Sequence, residues 1–152
     1  MLEYDFEEGV GYWASLAARA LEQAMNEELA AHGITYQQWQ VLAWIAHDGE
    51  PTQTQLADRL RVEPPTLAGI LDRMERNGWV TREADAEDRR RKIVRPTPQV
   101  RPVWDKMVAC AHRVRARATA GLSAAEIART RTALGKVLEN LDAVEARREK
   151  VS

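Results

Sequence analysis

One stretch limits the fold of this chain more than any other: a short amphipathic helix with prolines at its start and a glycine after its end. Pro64 and Pro65 suit the first turn of a helix, where a missing N–H costs nothing. Gly78 suits the left-handed residue that follows a helix. Between them, apolar residues recur at helical spacing on one face, at Leu67, Ile70, Leu71 and Met74. The sequence therefore predicts a helix from Pro64 to Asn77.

A second short helix precedes this one, and a basic hairpin follows it. Thr52 and Gln55 match the capping box that begins a helix, and we expect that helix to end at Leu60. Strand-like residues 79–82 and 92–95 enclose a polar tip. Two short helices followed by a basic hairpin are the arrangement of a winged helix-turn-helix, which places its second helix in the major groove of DNA.

Charge is distributed unevenly along the chain. Residues 1–50 hold nine acidic residues and one arginine, a net charge of −8, which leaves +7 for the rest of a chain whose total is −1. Within that part, the hairpin contains a tight basic cluster, at Arg89, Arg90, Arg91, Lys92 and Arg95. A local basic cluster is the electrostatic footprint of a nucleic-acid-binding surface. The alternative is a solvated hairpin tip that contacts nothing.

Long amphipathic helices are expected on both sides of this central unit. Apolar residues at helical spacing predict a first helix over residues 6–31, and Thr35 begins a second helix with a capping box. After the hairpin, Thr97 suits the N-cap of a helix that ends near Gly121, although Pro102 allows its regular part to start only there. Ser123 begins the last helix. Apolar stripes of this length must be buried. This favours a homodimer in which the end helices interlock over packing within one chain.

Composition excludes several classes of protein. Hydrophobic residues make up 45% of the 152, enough for a core, and no apolar run approaches the ~18 residues of a membrane span. The acidic start lacks the basic segment of a signal peptide, and one cysteine suits a reducing compartment, so we expect a cytoplasmic protein that contacts no membrane. The three histidines show no ligand spacing. Neither enzymatic activity nor a metal or cofactor is predicted.

With these features in view, the chain resembles the MarR family of bacterial transcription regulators, and within it the SlyA-like branch. The resemblance covers nearly the whole chain. It rests on TQTQLADRL in the first motif helix, VEPPTLAGILDRMERNGWV in the second, READAEDRRRK in the hairpin, and the long flanking helices. It implies a mainly α-helical fold with a small β-hairpin. It also implies one domain over residues 1–152, with a winged helix-turn-helix at 35–97 and dimerisation helices at 1–34 and 98–152.

The resemblance implies a function as well. It predicts a homodimer that binds double-stranded DNA at a pseudo-palindromic operator, most often as a repressor, and that a small aromatic acid or phenolic ligand releases. Within this class, the alternative is a constitutive DNA-binding regulator or anti-silencer without a ligand. Outside it, the alternative is a winged-helix adaptor between proteins, which the basic residues of the hairpin argue against.

The predicted DNA contacts lie on the two motif helices and on the hairpin. They are Thr52, Gln53, Thr54, Pro65, Thr66, Gly69, Arg73, Arg76, Arg89, Arg90, Arg91 and Lys92. Arg73 can make a bidentate contact with guanine, or a surface pair with Asp72 or Glu75. Gly69 has no side chain to contact a base, at a position where the SlyA-like branch often has a basic residue.

Within the hairpin, Arg90 is expected to enter the minor groove, whose negative potential attracts arginine. Arg89 and Arg91 alternate onto the other face of the hairpin. One of these two is expected to pair with Asp88 or Asp85 and so hold the hairpin in shape. Because Gly69 leaves the second helix sparsely equipped, we expect the hairpin to contribute more of the DNA affinity than the helix does.

Candidates for a ligand cleft lie on the helices that border such a cleft in the family. They are Trp13, Tyr36, Trp39, Trp104, Met107 and His112. Aromatic residues at helical spacing are equally typical of a core, so both interpretations stay open. Cys110 lies on an apolar stripe and is interpreted as a small core residue.

Overall fold

The structure, a computed structural model, describes residues 1–149, with side chains described up to Asp142. The described chain forms α1 Val10–Leu29, α2 Tyr36–Asp48, α3 Gln53–Leu60, α4 Pro64–Arg76, β1 Val80–Ala84, β2 Lys92–Pro96, α5 Arg101–Ala118 and α6 Ala124–Glu149. Short 3₁₀ turns at Phe6–Glu8 and Ala30–His32 flank α1. The predicted fold class, mainly α-helical with a small hairpin, is confirmed.

The chain divides into two compact units. The first, Met1–Val114, contains α1 to α4, the hairpin and most of α5. The second begins at Arg115 and contains the end of α5 and α6. The single domain and its internal boundaries stay a prediction, and its last residues, 150–152, lie outside the described chain.

The core of the first unit draws apolar side chains from α1 to α5 and from both strands. The stripe predicted on α4 is buried as expected, at Leu67, Ile70, Leu71 and Met74. Cys110 is buried in the same core, as its interpretation as a small apolar residue requires. With one face of α4 fixed in this way, the opposite face is left at the surface.

Local signals in the sequence determine most helix ends. The capping boxes predicted at Thr35, Thr52 and Ser123 are all present. Gly78 follows α4 in the left-handed conformation, with φ of +77°. A Cβ there would lie 2.3 Å from Gln99 Oε1, the end of an exposed side chain that can move aside, so the backbone conformation is what requires a glycine.

One predicted helix start is wrong, and one of two alternatives for another is not observed. α1 begins at Val10 instead of residue 6, because Gly9 is extended and closes the 3₁₀ turn before it. α5 begins at Arg101, beside the alternative start at Pro102 and not directly after Thr97. The Thr97 hydroxyl donates to the Gly78 carbonyl, and its amide donates to the Trp79 carbonyl. Thr97 therefore joins the two ends of the hairpin and does not cap a helix.

The two strands form the wing, defined here as residues 80–96. Its antiparallel register runs from Val80 opposite Pro96 to Ala84 opposite Lys92. The second strand also reaches back to the segment before α3, where Ile93 bridges to Thr52 and the Val94 amide donates to the Pro51 carbonyl at 3.0 Å. The wing is therefore attached by its backbone to the start of the helix-turn-helix.

The long helices leave much of their predicted apolar stripes exposed. On α1, Met25 and Leu29 are buried, whereas Trp13 is 60% exposed and several of its apolar neighbours also face outward. In the second unit, Leu138 and Leu141 of α6 are exposed. Val144, part of the same predicted stripe, lies outside the residues whose side chains are described. Among the described residues, no helix is both long and apolar enough to cross a membrane.

Candidate nucleic-acid interface

The helix-turn-helix consists of α3, a three-residue turn from Arg61 to Glu63, and α4. Arg61 makes the turn with φ of 52°, and its amide donates to the Asp58 carbonyl. Because the apolar face of α4 is buried, several polar residues of that helix are exposed together. Those from the predicted set are Thr66, Arg73 and Arg76, along with Pro65 in the first turn. This outward face is the part of α4 that a DNA groove could contact.

Gly69 and Arg73 form one feature of this face. A Cβ placed on Gly69 would lie 4.0 Å from Arg73 Nη1, so the guanidinium lies back over the glycine, one turn toward the helix start. The alternative pair of Arg73 with Asp72 or Glu75 is not formed, since both carboxylates pair with Arg82. The position that seemed empty in the sequence is therefore covered by a guanidinium.

The tip of the wing carries exposed cations. Arg89, Arg91 and Lys92 are exposed, and no acidic residue of the described chain lies within ion-pair distance of them. Arg90 is 90% exposed and does have a partner: its Nε and Nη2 donate to the Asp88 carboxylate at 3.0 and 3.1 Å. The pair expected for Arg89 or Arg91 is thus made by Arg90, because the tight turn brings residues two apart together.

Two further ion-pair features affect the charge of the wing. Hydrogen bonds from the side chain and amide of Arg90 hold the pKa of Asp88 below its ordinary value. The sequence grouped Arg95 with the basic cluster of the hairpin, but its guanidinium is engaged by two carboxylates. Its Nε donates to Glu50 Oε1 at 2.8 Å, and its Nη1 donates to Glu83. The hydrogen bond from Arg95 lowers the pKa of Glu50.

Among the predicted contacts, Thr52 is contradicted by its location. The side chain is 4% exposed, and its hydroxyl accepts the Gln55 amide as the cap of α3. Gln53 is half-buried, with an Oε1 atom that has no hydrogen-bond partner within the described chain. Thr54 is exposed. Of the three DNA contacts predicted at the start of α3, Thr54 therefore lies at the surface, and Gln53 lies there in part.

A groove of about 320 Å³ brings the helix and wing parts of the predicted set together. Its lining comes from the start of α3, the start of α4 and the wing: Gln53, Thr54, Pro64, Arg82, Arg90, Arg91 and Lys92. A concave surface with four cations can follow a phosphate backbone. Thr66, Arg73 and Arg76 do not line this groove and lie on the face of α4 described above.

Arg82 belongs to this groove but was not among the predicted contacts. It alternates with Thr81 and Glu83 along a strand, which gave no signal for a role at the interface. Its partners, Asp72 and Glu75, lie across the turn after α4, so only the folded chain brings the three together.

Known proteins resemble this chain in sequence and in overall fold. The MarR family model matches residues 32–91. An uncharacterized HTH-type transcriptional regulator of Bacillus subtilis (strain 168), YwoH, is 34% identical over 91 residues, which span 60% of this chain and just under two thirds, 66%, of that relative. The crystal structure of transcriptional regulator PA3341 is 34% identical and matches with a TM-score of 0.80 over 89% of this chain and 99% of its own. The chain belongs to the MarR family.

One MarR structure bears directly on the interface. A cysteine-to-serine mutant of MarR from E. coli, complexed with operator DNA, is 27% identical and has a TM-score of 0.80, over 90% of this chain and 99% of its own. As a MarR-family member with a winged helix-turn-helix, the present protein is a DNA-binding transcription regulator. The SlyA-like branch stays a prediction.

In this MarR-family chain, the six predicted ligand residues do not surround one cavity. Trp13 is exposed, and its indole N–H donates to the Glu7 carbonyl at 2.7 Å. Met107 is fully buried in the core. His112 is exposed. Helical spacing indicates that these residues lie on helices. It does not indicate which face of each helix borders a cleft.

Tyr36 and Trp39 are brought together at the start of α2. Their rings stack with centroids 6.1 Å apart, and the indole N–H of Trp39 is buried without a hydrogen-bond partner in the described chain. Burial raises the pKa of the Tyr36 hydroxyl, and the nearby negative charge of Glu22 adds to this effect. Tyr36 therefore stays a neutral hydrogen-bonding group at physiological pH.

Trp104 lines a larger cavity, of about 730 Å³, between α2 and the start of α5. Its lining is mainly apolar, with a few polar groups near the start of α5: Leu42, Ile45, Ala46, Gly49, Pro96, Thr97, Pro98, Val100, Arg101, Trp104 and Asp105. Arg101 was not among the predicted ligand residues. Only the packing of the start of α5 beside α2 places Arg101 at a cavity, so the sequence alone offers no signal for it.

Proposed function

We propose that this protein is a homodimeric repressor that binds a pseudo-palindromic operator and is released by a small aromatic acid or phenolic ligand. The DNA interface carries the proposal. Exposed, unpaired cations on the wing stand beside an outward face of α4 with a free guanidinium, and a basic groove joins the two. An adaptor between proteins would have no need for such a cationic groove.

DNA binding is tested by titration against salt. The logarithm of the affinity should fall linearly with the logarithm of salt concentration, because each neutralised phosphate releases counterions. Arg90→Ala should weaken binding strongly while the protein stays folded, since it removes a wing-tip side chain that is 90% exposed. Arg129→Ala, an exposed arginine of α6, is the control. Unchanged affinity of Arg90→Ala would remove its assignment to the minor groove, and a flat salt response would favour the adaptor.

Exposed apolar side chains on both end helices support the homodimer. Trp13 and its neighbours on α1, and Leu138 and Leu141 on α6, are left uncovered by their own chain. Exposed apolar side chains grouped on one helix mark an interaction site, and a second copy presents the same stripes. Leu138→Glu should give a monomer in sedimentation experiments and weaken operator binding, whereas Thr132→Glu on the same helix should stay dimeric. A monomeric wild-type protein would contradict the proposal.

The cavity between α2 and α5 supports the ligand. Its volume lies within the roughly 300–1,000 Å³ of small-molecule sites. The apolar walls suit an aromatic ring, and the two charged lining residues offer Arg101 to a carboxylate and Asp105 to a phenolic hydroxyl. We expect benzoate to release DNA from the wild type, and Arg101→Gln to resist release. His112→Ala, which alters an exposed residue outside the cavity, is the control. Operator affinity that is insensitive to benzoate and to a panel of phenols would favour the constitutive regulator.

A further inference from the structure

Arg82 differs from the other arginines of the basic groove. Its Nη2 donates to Asp72 Oδ1 at 2.6 Å and to Glu75 Oε2 at 2.8 Å. Its backbone amide donates to Glu75 Oε1 at 3.2 Å. The side chain is only 17% exposed, so it lies against the protein more than the wing-tip arginines do. These three hydrogen bonds join the first strand of the wing to α4.

Arg82 is poorly suited to neutralise a phosphate itself. Two carboxylates already take up its positive charge, and the hydrogen bond from Arg82 holds the pKa of Glu75 below its ordinary value, which keeps that carboxyl ionised at neutral pH. Arg91 and Lys92 line the same groove, are exposed, and make no ion pair with the described chain. The groove therefore contains cations available to DNA and one cation already engaged with α4.

The second strand of the wing has its own attachments. Arg95 donates to Glu50 in the connection between α2 and α3, and the Val94 amide donates to the Pro51 carbonyl. These contacts hold the wing to the α2–α3 side of the unit. No contact of Arg95 reaches α4 within the described chain.

The wing meets α4 in two other ways. Val80 and Val94 pack in the core that α4 shares. Arg82 forms ion pairs with Asp72 and Glu75. The ion pairs of Arg82 are the polar side-chain contact between the wing and that helix.

We propose that Arg82 is a positioning residue for DNA binding. By holding Asp72 and Glu75, it fixes the wing-tip cations at a set distance from the outward face of α4, so that both can contact one operator at the same time. Loss of this contact lets the wing move relative to α4. Binding to DNA must then order a mobile wing, and the conformational entropy lost in this step reduces the affinity. The number of phosphate contacts in the bound state stays the same.

A double-mutant cycle tests the proposal. The variants are Arg82→Gln, Asp72→Asn with Glu75→Gln, and all three together. Each is titrated against a DNA duplex that the wild-type protein selects from a random library. We expect Arg82→Gln to lose on the order of tenfold in affinity in the wild-type background, and little where both acidic partners are already removed. The salt slope of Arg82→Gln should equal that of the wild type.

A direct phosphate contact of Arg82 predicts something different. The same loss would then occur in both backgrounds, and the salt slope would fall by about 0.9 for one lost contact. Either result would overturn the proposal. Arg91→Gln is the matched control, because it removes an unpaired cation of the same groove and should lower both affinity and slope in either background. If the wild type selected no duplex at all, DNA binding itself would fail, which is a separate outcome.

A conservative variant separates an effect on DNA binding from an effect on folding. Arg82→Lys keeps the positive charge but cannot present the planar fork that joins two carboxylates. If the geometry of the contact matters, this variant binds DNA more weakly than the wild type with an unchanged salt slope and an unchanged thermal midpoint. Wild-type affinity of Arg82→Lys would show that charge alone suffices and would contradict positioning.

Discussion

At the scale of single residues, Gly69 and Arg73 show how a glycine can shape a binding face. Glycine inside a helix costs about 1 kcal/mol relative to alanine, and nothing in the core requires it here, because the nearest side-chain atom to a Cβ at this position would be Arg73 Nη1 at 4.0 Å. The missing side chain leaves room for the guanidinium to lie flat over the helix. The glycine therefore lowers the stability of α4, and the Arg73 guanidinium lies beside the bare backbone at this position.

This view of Gly69 predicts a stabilised but altered variant. Gly69→Ala should raise the free energy of unfolding by up to about 1 kcal/mol, because alanine restricts the unfolded chain and makes only an ordinary contact with Arg73. Its operator preference should change at the base pairs that Arg73 contacts. Urea denaturation and binding-site selection measure the two effects.

Gly78→Ala provides the opposite case for the same measurements. Its φ of +77° strains alanine, and the new Cβ would lie 2.3 Å from Gln99 Oε1. A loss of stability is expected there. Equal effects of the two substitutions would contradict the distinction drawn between the two glycines.

At the scale of elements, α3 and the wing depend on contacts that lie outside their own hydrogen-bond ladders. Thr52 caps α3 while its backbone also bridges to Ile93 of the wing. The wing is held further by Arg82 and Arg95, whose partners lie on α4 and before α3. The stability of the binding surface is therefore shared between the two helices and the hairpin.

The cap of α3 gives a prediction that separates stability from DNA contact. Thr52→Ala should lower the free energy of unfolding by about 1 kcal/mol, because it leaves the Gln55 amide without its acceptor. Thr54→Ala, two residues further on and exposed, should change stability by less than about 0.5 kcal/mol but weaken DNA binding. Chemical denaturation and gel-shift titration of both variants make the comparison. Reversed effects would return Thr52 to the set of DNA contacts.

The ion pairs of the wing predict sensitivity to acid. Hydrogen bonds from Arg95 and Arg82 lower the pKa values of Glu50 and Glu75 below the ordinary 4.5. A folded-state pKa that is lowered contributes stability above the ordinary value, and this stability is lost as pH falls through the folded pKa. We expect urea midpoints to fall below about pH 4.5, and to fall less in a variant with Glu50→Gln and Glu75→Gln.

The acid prediction has a control on the wing itself. Glu87→Gln removes a carboxylate that makes no ion pair within the described chain, although its backbone amide donates to Asp85. Its pH profile of stability should run parallel to that of the wild type. A profile flattened as much by Glu87→Gln as by the double variant would assign the acid sensitivity to overall charge instead of to these pairs.

At the scale of the whole molecule, the cationic and apolar surfaces lie on different elements. The first unit contains both the cationic wing and the apolar face of α1, while α6 adds a second apolar face. The acidic first third of the sequence keeps the net charge near zero. The net charge therefore gives no measure of the local positive charge of the wing.

A homodimer held by the end helices predicts that stability depends on concentration. Association stabilises the folded state by mass action, so the thermal midpoint should rise as protein concentration rises. Leu138→Glu should have a lower midpoint that no longer changes with concentration. Differential scanning fluorimetry over a hundredfold range of concentration is sufficient for this test. A midpoint of the wild type that is independent of concentration would contradict the homodimer.

The sequence by itself determined the elements whose signals are local. Pro64 and Gly78 bracket α4, and Thr35, Thr52 and Ser123 begin helices, because each signal acts on backbone groups within a few residues. The apolar spacing of α4 likewise identified its buried face, since the helical period alone places those side chains together. The motifs on these elements were also sufficient for recognition of the family.

Only the tertiary structure decided which partner each polar group takes. Arg82 meets Asp72 and Glu75 because the turn after α4 folds the wing back along that helix. Thr97 bonds to Gly78 instead of capping a helix, since the two ends of the wing lie side by side. Such choices depend on distances between separate elements, which packing of the core determines and which spacing along the chain does not reveal.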